Sequence, residues 1–131
     1  MTDLLLPDLR PLGKTQSRQV IDDPEKGSGY IVWRWGTGGN VELTHLRVSR
    51  PGKGMATTLL RIMLQALADD PPYCTVFGFT RKSNKDAQEF YKWAGFTLSP
   101  VDGVYGIAKD GDEEGAVVFS ARYVDLYKRH H

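Results

Sequence analysis

A short glycine-rich segment between a β pattern and a helical pattern constrains this chain most. Residues 41–48 (VELTHLRV) alternate as a strand does, and an apolar stripe over residues 54–68 predicts a helix. The elbow between them is rich in Gly, Pro and Lys (SRPGKG, residues 49–54). The start of a helix has unpaired amides and about half a positive charge. The elbow therefore predicts an anion site suited to phosphate.

The other patterns predict a single α/β (α+β) domain over residues 1–131 with a mixed sheet. Residues 1–29 hold Pro7, Pro11 and Pro24 without a sustained period, so we expect an irregular or weakly stranded lead-in. Ser83 and Asp86 form a capping signal for a second helix that ends at Ala94. The remaining predicted strands cover residues 30–35, 74–80, 96–99, 104–108 and 116–124.

Composition narrows the function classes. The formal net charge of +1 gives no global attraction to nucleic acid or an anionic membrane. Cys74 is the only cysteine, which excludes an intrachain disulfide and favours a cytoplasmic protein. We find no apolar run of membrane-spanning length, no signal-peptide pattern and no metal-ligand spacing, so neither a membrane nor a metal is expected.

Two nucleotide-binding motifs fail on inspection. The Walker pattern that would end at Lys14 and Thr15 has Asp8 where glycine is required, and no strand precedes it. The dinucleotide pattern G-x-G-x-x-G has Thr57 at its last glycine. What remains is G-x-G-x-A after a strand, which a simple strand-to-helix turn explains equally well.

A second segment, SNKDAQEFYKWAGF (residues 83–96), follows the next predicted strand. Together with the elbow it resembles the GNAT superfamily of acyl-CoA N-acyltransferases, which pairs a [QR]-x-x-G-x-[GA] loop with an N-x-x-A-x-x-F-Y-x-x-x-G-F segment. The matching residues are Gly54, Ala56, Asn84, Ala87, Phe90, Tyr91, Gly95 and Phe96. Pro51 stands where the family usually has Gln or Arg, with Arg50 one place earlier, and the loop is shorter than is common. The resemblance covers residues 41–98.

This resemblance implies a GNAT-like sheet whose central strands, residues 41–48 and 74–80, splay apart around acetyl-CoA. It implies an N-acetyltransferase in which a primary amine attacks the thioester directly in a ternary complex. The implied cofactor-binding residues are Leu46, Arg47 and Val48 for the pantetheine arm, Asn84 beside that arm, and Arg50, Gly52, Lys53, Gly54, Met55, Ala56 and Thr57 for the diphosphate.

For catalysis, Glu42 is the candidate base, because some family members resemble this chain in having a glutamate there. The alternative is a carboxylate paired with Arg47 or Lys53. Tyr91 matches the family's tyrosine beside the cofactor sulfur and is the candidate acid; by pattern alone it is a core residue. Alternation places His45 on the face opposite Glu42, as a reserve base. Cys74 is expected to be a small core residue.

The acceptor stays open at this point. Residues before Tyr30 are too few for the two helices that usually wall the acceptor site, so that side is open or covered by a second chain in a homodimer. An open side suits a macromolecular amine, either protein or nucleic acid. The three tryptophans Trp33, Trp35 and Trp93 could stack on bases, although packing of the sheet is the simpler explanation for Trp33 and Trp35.

The acidic turn over residues 110–114 could attract a cationic acceptor, although a solvated hairpin tip is the simpler explanation. Two further functions therefore stand beside the acetyltransferase. One is a nucleic-acid base modifier with the same fold, and the other is a CoA-binding module without catalysis.

Overall fold

A computed structural model of the chain describes residues 16–68, 75–107 and 113–131. Cys74, most of the acidic turn and residues 1–15 of the predicted lead-in lie outside these ranges. The elements are β1 (Gln16–Asp23), β2 (Gly27–Trp35), a short turn of 3-10 helix (Thr37–Gly39), β3 (Val41–Val48), α1 (Met55–Leu67), β4 (Thr75–Arg81), α2 (Lys85–Ala94), β5 (Thr97–Ile107), β6 (Glu113–Arg122) and α3 (Tyr123–His130).

The strands form one six-stranded sheet in the order β1-β2-β3-β4-β6-β5. Only β3 and β4 are parallel among the described strands, and α1 connects them; every other neighbouring pair is antiparallel. This mixed sheet with flanking helices confirms the predicted fold class.

The three described helices pack against one face of the sheet, here called the helical face. Met55, Leu59 and Met63 of α1 are fully buried there. Tyr91 of α2 lies in the same core, and α3 joins it because the Tyr123 hydroxyl donates to the Leu64 carbonyl at 2.7 Å. The opposite face, defined by residues that the register places away from this core, carries Tyr30, Arg34, Glu42, His45, Arg47, Phe77, Phe79 and Arg81.

Of the two alternatives for the lead-in, residues 16–29 follow the stranded one, because they form β1, a turn and the start of β2. The strand signal of β1 is weak because its sequence QSRQVIDD is mostly polar, as an edge strand paired on one side permits. Asp23 closes the turn by accepting from the amides of Glu25 at 2.8 Å and Lys26 at 2.9 Å. Those two hydrogen bonds lower the pKa of the Asp23 carboxyl.

The C-terminal prediction is wrong in one element. The strand expected over residues 116–124 ends at Arg122, and α3 follows directly. Tyr123 and Leu126 are buried at helical spacing, but α3 has only eight residues and no side-chain cap, so its pattern is too short to detect. The two strands expected over residues 96–99 and 104–108 are one strand, β5, with irregular register between Val101 and Gly106.

Trp33 and Trp35 pack against the core, which confirms the simpler of the two explanations for them, and Trp93 is 57 % exposed on α2. No helix within residues 16–68, 75–107 or 113–131 is long and apolar enough to cross a membrane.

Candidate active site

The parallel strands β3 and β4 pair at only two positions, Val41 with Val76 and Glu42 with Phe77. Beyond these positions both strands continue, to Val48 and Arg81, without pairing to each other. The gap is a cleft of about 110 Å³. Its lining comes from both strands and from α2: Thr44, His45, Leu46, Arg47, Phe79, Thr80, Arg81, Asn84, Ala87 and Tyr91.

A β-bulge in β3 marks the point where the strands part. Val32 of β2 pairs with His45 and Trp33 pairs with Leu43, so Thr44 is the extra residue. The Thr44 hydroxyl donates to the Val32 carbonyl at 3.1 Å. A bulge bends its strand and increases the local twist, which carries the rest of β3 away from β4.

The bulge also shifts the alternation of β3 by one residue. Leu46 and Val48 therefore pack on the core that contains Val41 and Leu43, whereas His45 and Arg47 lie on the opposite face with Glu42. The predicted placement of Glu42 and His45 on different faces is wrong for this reason.

The elbow delivers the start of α1 to solvent beside β3. Gly52 and Gly54 have φ of 81° and 85°, a region that favours glycine, and a Cβ on either would meet no atom within 4 Å. The helical ladder begins with Thr58 donating to the Gly54 carbonyl at 3.1 Å, so the amides of Met55, Ala56 and Thr57 precede it. Neither an acidic side chain in the first turn nor a side-chain cap at Gly54 competes for these amides.

Residues that the sequence analysis missed hold the elbow in place. The Ser49 amide donates to the Ser28 carbonyl at 2.8 Å, and the Ser28 amide donates to the Ser49 hydroxyl at 2.9 Å. Lys26 Nζ reaches the Thr58 hydroxyl at 3.2 Å and adds a cation beside the first turn of α1. No local sequence signal identifies these contacts, because they depend on the register between β2 and β3.

The start of α2 is fixed by two different residues. Asn84, not the predicted Ser83, is the N-cap, and its side chain accepts from the Ala87 amide at 3.1 Å. Glu114 of β6 accepts from the amide and the hydroxyl of Ser83 and from Arg81 Nη1 at 3.0 Å. Glu114 is 9 % exposed, and the hydrogen bonds from Ser83, followed by that from Arg81, lower the pKa of its carboxyl.

Tyr91 is both a core residue and a cleft residue, so the two predictions for it are compatible. Its ring stacks on Phe119 with centroids 3.7 Å apart and an interplanar angle of 10°, and it is 7 % exposed. Phe96 contacts the same ring edge-on at 5.5 Å. A ring held on two sides has little freedom to move, which suits a residue that must be positioned.

The two candidate bases occupy different places. Glu42 Oε1 accepts from Nε and Nη2 of Arg34, at 2.9 Å and 2.6 Å. Its partner is thus the cross-strand residue, not Arg47 or Lys53, and Glu42 is not among the residues that line the cleft. His45 is exposed and lines it.

Several solved structures that are similar to this chain are acetyltransferases by name. Ribosomal-protein-S18-alanine N-acetyltransferase from Escherichia coli aligns with a TM-score of 0.71 and 18% identity over 86% of this chain and 72% of that one. A point mutant of spermidine N-acetyltransferase from Vibrio cholerae aligns with a TM-score of 0.71 and 17% identity, over 90% of this chain and 72% of that one. A third structure comes from Bacillus anthracis, is described as a streptothricin acetyltransferase and was solved with acetyl coenzyme A. It aligns with a TM-score of 0.67 and 16% identity, over 84% of this chain and 64% of that one. No family model matches the sequence, and no curated protein is significantly similar to it.

Proposed function

We propose that this chain, which has the GNAT acetyltransferase fold, is an acyl-CoA-dependent N-acetyltransferase that moves an acetyl group from acetyl-CoA to a primary amine. The observation that carries the proposal is the parting of β3 and β4 after two paired positions. The exposed start of α1 lies at the end of β3, and the start of α2 lines the resulting cleft. Two of the similar structures are N-acetyltransferases by name, and a third, described as an acetyltransferase, holds acetyl coenzyme A.

The chain's own groups fit such a donor. The diphosphate would accept hydrogen bonds from the amides of residues 54–57, with Lys53 and Arg50 as neighbouring cations. The edge of β3 at residues 46–48 has no strand partner on its β4 side, so its backbone groups can bind the pantetheine amides. Asn84 and Ala87 line the same cleft from the start of α2.

The reaction needs a base for the attacking amine, and the geometry favours His45 over Glu42. His45 lines the cleft and Glu42 does not. A base must come within hydrogen-bond reach of the proton that it removes, directly or through one water. In this assignment Glu42 orients Arg34 and does not contact the substrate.

Tyr91 is the proposed acid. The amine nitrogen bonds to the acetyl carbon while His45 accepts its proton. The carbon–sulfur bond then breaks, its electron pair stays on sulfur, and the Tyr91 hydroxyl protonates the thiolate. Holding both reactants in the cleft provides the larger part of the acceleration, because a positioned pair of reactants avoids the entropy cost of a bimolecular encounter.

Calorimetric titration of the full chain with CoA tests the donor site. We expect one site per chain and weaker binding in Lys53→Glu, because that substitution places a negative charge beside the diphosphate. Lys128→Glu is the matched control, since Lys128 lies exposed on α3. Absence of CoA binding, or equal binding by the two variants, would contradict the proposed donor site.

A further inference from the structure

The cleft has two mouths, because it is lined from both faces of the sheet. Leu46 packs toward the helical face, and Tyr91 approaches the cleft from α2 on that face. His45, Arg47, Phe79 and Arg81 lie on the opposite face. The elbow leads from the end of β3 into α1, which also packs on the helical face. A donor anchored at the elbow therefore leaves the opposite mouth to the acceptor.

We infer that this opposite mouth binds a peptide whose amine lies next to an acidic residue. The inference rests on the proposed function, since it assigns the second substrate of the same cleft. Its first support is charge. Arg47 is exposed in the cleft lining and makes no ion pair with any residue that the structure describes.

Two carboxylates on this face of the sheet are already occupied by arginines. Glu42 is bound by Arg34 and Glu114 by Arg81, so within the described ranges neither is left to attract a polycationic amine. A carboxylate next to the amine would instead meet Arg47. Charge complementarity of this kind selects between acceptors more than it raises affinity in general.

The second support is the shape and polarity of the mouth. Phe79 is 43 % exposed, and Phe77 contacts it edge-on with centroids 6.0 Å apart. None of the described helices covers this face, so a chain can lie across it. The exposed Phe79 ring can pack against an apolar peptide side chain, and the neighbouring arginine can bind the carboxylate next to it.

The same charges disfavour a nucleic-acid acceptor. Binding to a phosphate backbone depends on many cations, and its affinity falls steeply with salt. On this face of the sheet Arg34 and Arg81 are each paired with a carboxylate, and the formal net charge of the chain is only +1. Trp33, a residue expected to stack if the acceptor were a base, is 3 % exposed in the core.

Fluorescence anisotropy with a C-terminally labelled peptide tests the inference without requiring catalysis. Two peptides that differ only in Asp or Lys directly after the N-terminal residue are titrated with the full chain, with and without CoA. We expect the Asp peptide to bind about fivefold more tightly, as one partly exposed ion pair allows. Arg47→Glu is expected to reverse that order. Arg61→Glu, the same charge change on the exposed side of α1, is expected to keep it.

A rate assay with acetyl-CoA and the same peptides gives the second readout, and kcat/KM is expected to follow the order of binding. Equal binding of the two peptides, preference for the Lys peptide, or a preference unchanged by Arg47→Glu would overturn the inference. Acetylation of an oligonucleotide but of neither peptide would overturn it as well. Failure of the proposed function has a separate signature, which is loss of CoA binding in the calorimetric titration.

Discussion

Gly78 lies where β3 and β4 part, and adding one methyl group there tests how the cleft is built. A Cβ on Gly78 would lie 2.3 Å from Phe119 Cζ and 2.7 Å from the Leu43 carbonyl oxygen. Ordinary contacts of a Cβ begin at 3.4 Å, so the Phe119 ring must move by about 1 Å and the backbone of β3 must also retreat from Gly78. Both responses disturb the cleft, because Phe119 stacks on Tyr91 and β3 forms one of its walls.

Overpacking of this kind costs about 1–3 kcal/mol. For a chain of this size a loss of about 2 kcal/mol lowers Tm by about 8 °C. We expect Gly78→Ala to show that shift in thermal unfolding followed by circular dichroism, together with a lower kcat. Gly115→Ala on β6 is the matched control, because the nearest atom to its Cβ is the flexible Lys82 side chain at 3.2 Å. Its stability is expected to change by less than about 0.5 kcal/mol.

A double-mutant cycle identifies which neighbour resists the methyl group. Phe119→Leu replaces the ring that lies closest to Gly78 with a shorter side chain. Gly78→Ala should therefore lower the free energy of unfolding less in that background than in the wild type. Unfolding of Gly78→Ala at the same temperature as Gly115→Ala would refute the reasoning. It would mean that the chain accommodates the methyl group without disturbing β3 or Phe119.

Two further predictions concern named side chains. His45→Gln and Tyr91→Phe are each expected to lower kcat by about 10²-fold or more at saturating acetyl-CoA, whereas Glu42→Gln should have a smaller effect. If Glu42→Gln lowers kcat more than His45→Gln in the same rate assay, the assignment of the base is reversed. Glu114 has a folded-state pKa below its ordinary value of 4.5, so its contribution to stability is present above that pH and is lost as pH falls through the folded-state pKa. Glu114→Gln should therefore lower the free energy of unfolding at neutral pH and have a smaller effect at strongly acidic pH. Urea unfolding across that pH range measures this difference, and an equal loss of stability at both pH values would contradict the role of the charge.

The elements with local signals could be predicted from the sequence. The bounds of β3 agree with the prediction, and α1 differs by one residue at each end, because the glycines of the elbow and the apolar stripe are contiguous in the chain. The predicted α2 ends at Ala94 as observed, since Gly95 adopts φ of 110° at its C-terminus. Each of these signals acts within a few residues of the structure that it specifies.

The features that depend on pairing between distant segments could not be predicted. The bulge at Thr44 exists only relative to the register of β2, and it reverses the faces of every later residue in β3. The residues around Glu114 in the sequence give no signal of its role, because its hydrogen-bond partners Arg81 and Ser83 lie more than thirty residues earlier, where β4 connects to α2. The candidate base changes from Glu42 to His45 for the same reason, because the face on which a side chain lies depends on how its strand pairs within the sheet.

The parted strands are each held from the side away from the cleft. β3 stays paired with β2 as far as Val48 and Gly29, and the Ser49–Ser28 hydrogen bonds continue that attachment into the elbow. β4 stays paired with β6 as far as Arg81 and Ala116, where Glu114 binds Arg81. Closing the cleft would require these ladders to move toward each other, against the bend that the bulge at Thr44 gives to β3. The separation of the strands is thus fixed by contacts on the far sides of β3 and β4, so substitutions at the mouths of the cleft should change which acceptor binds without changing that separation.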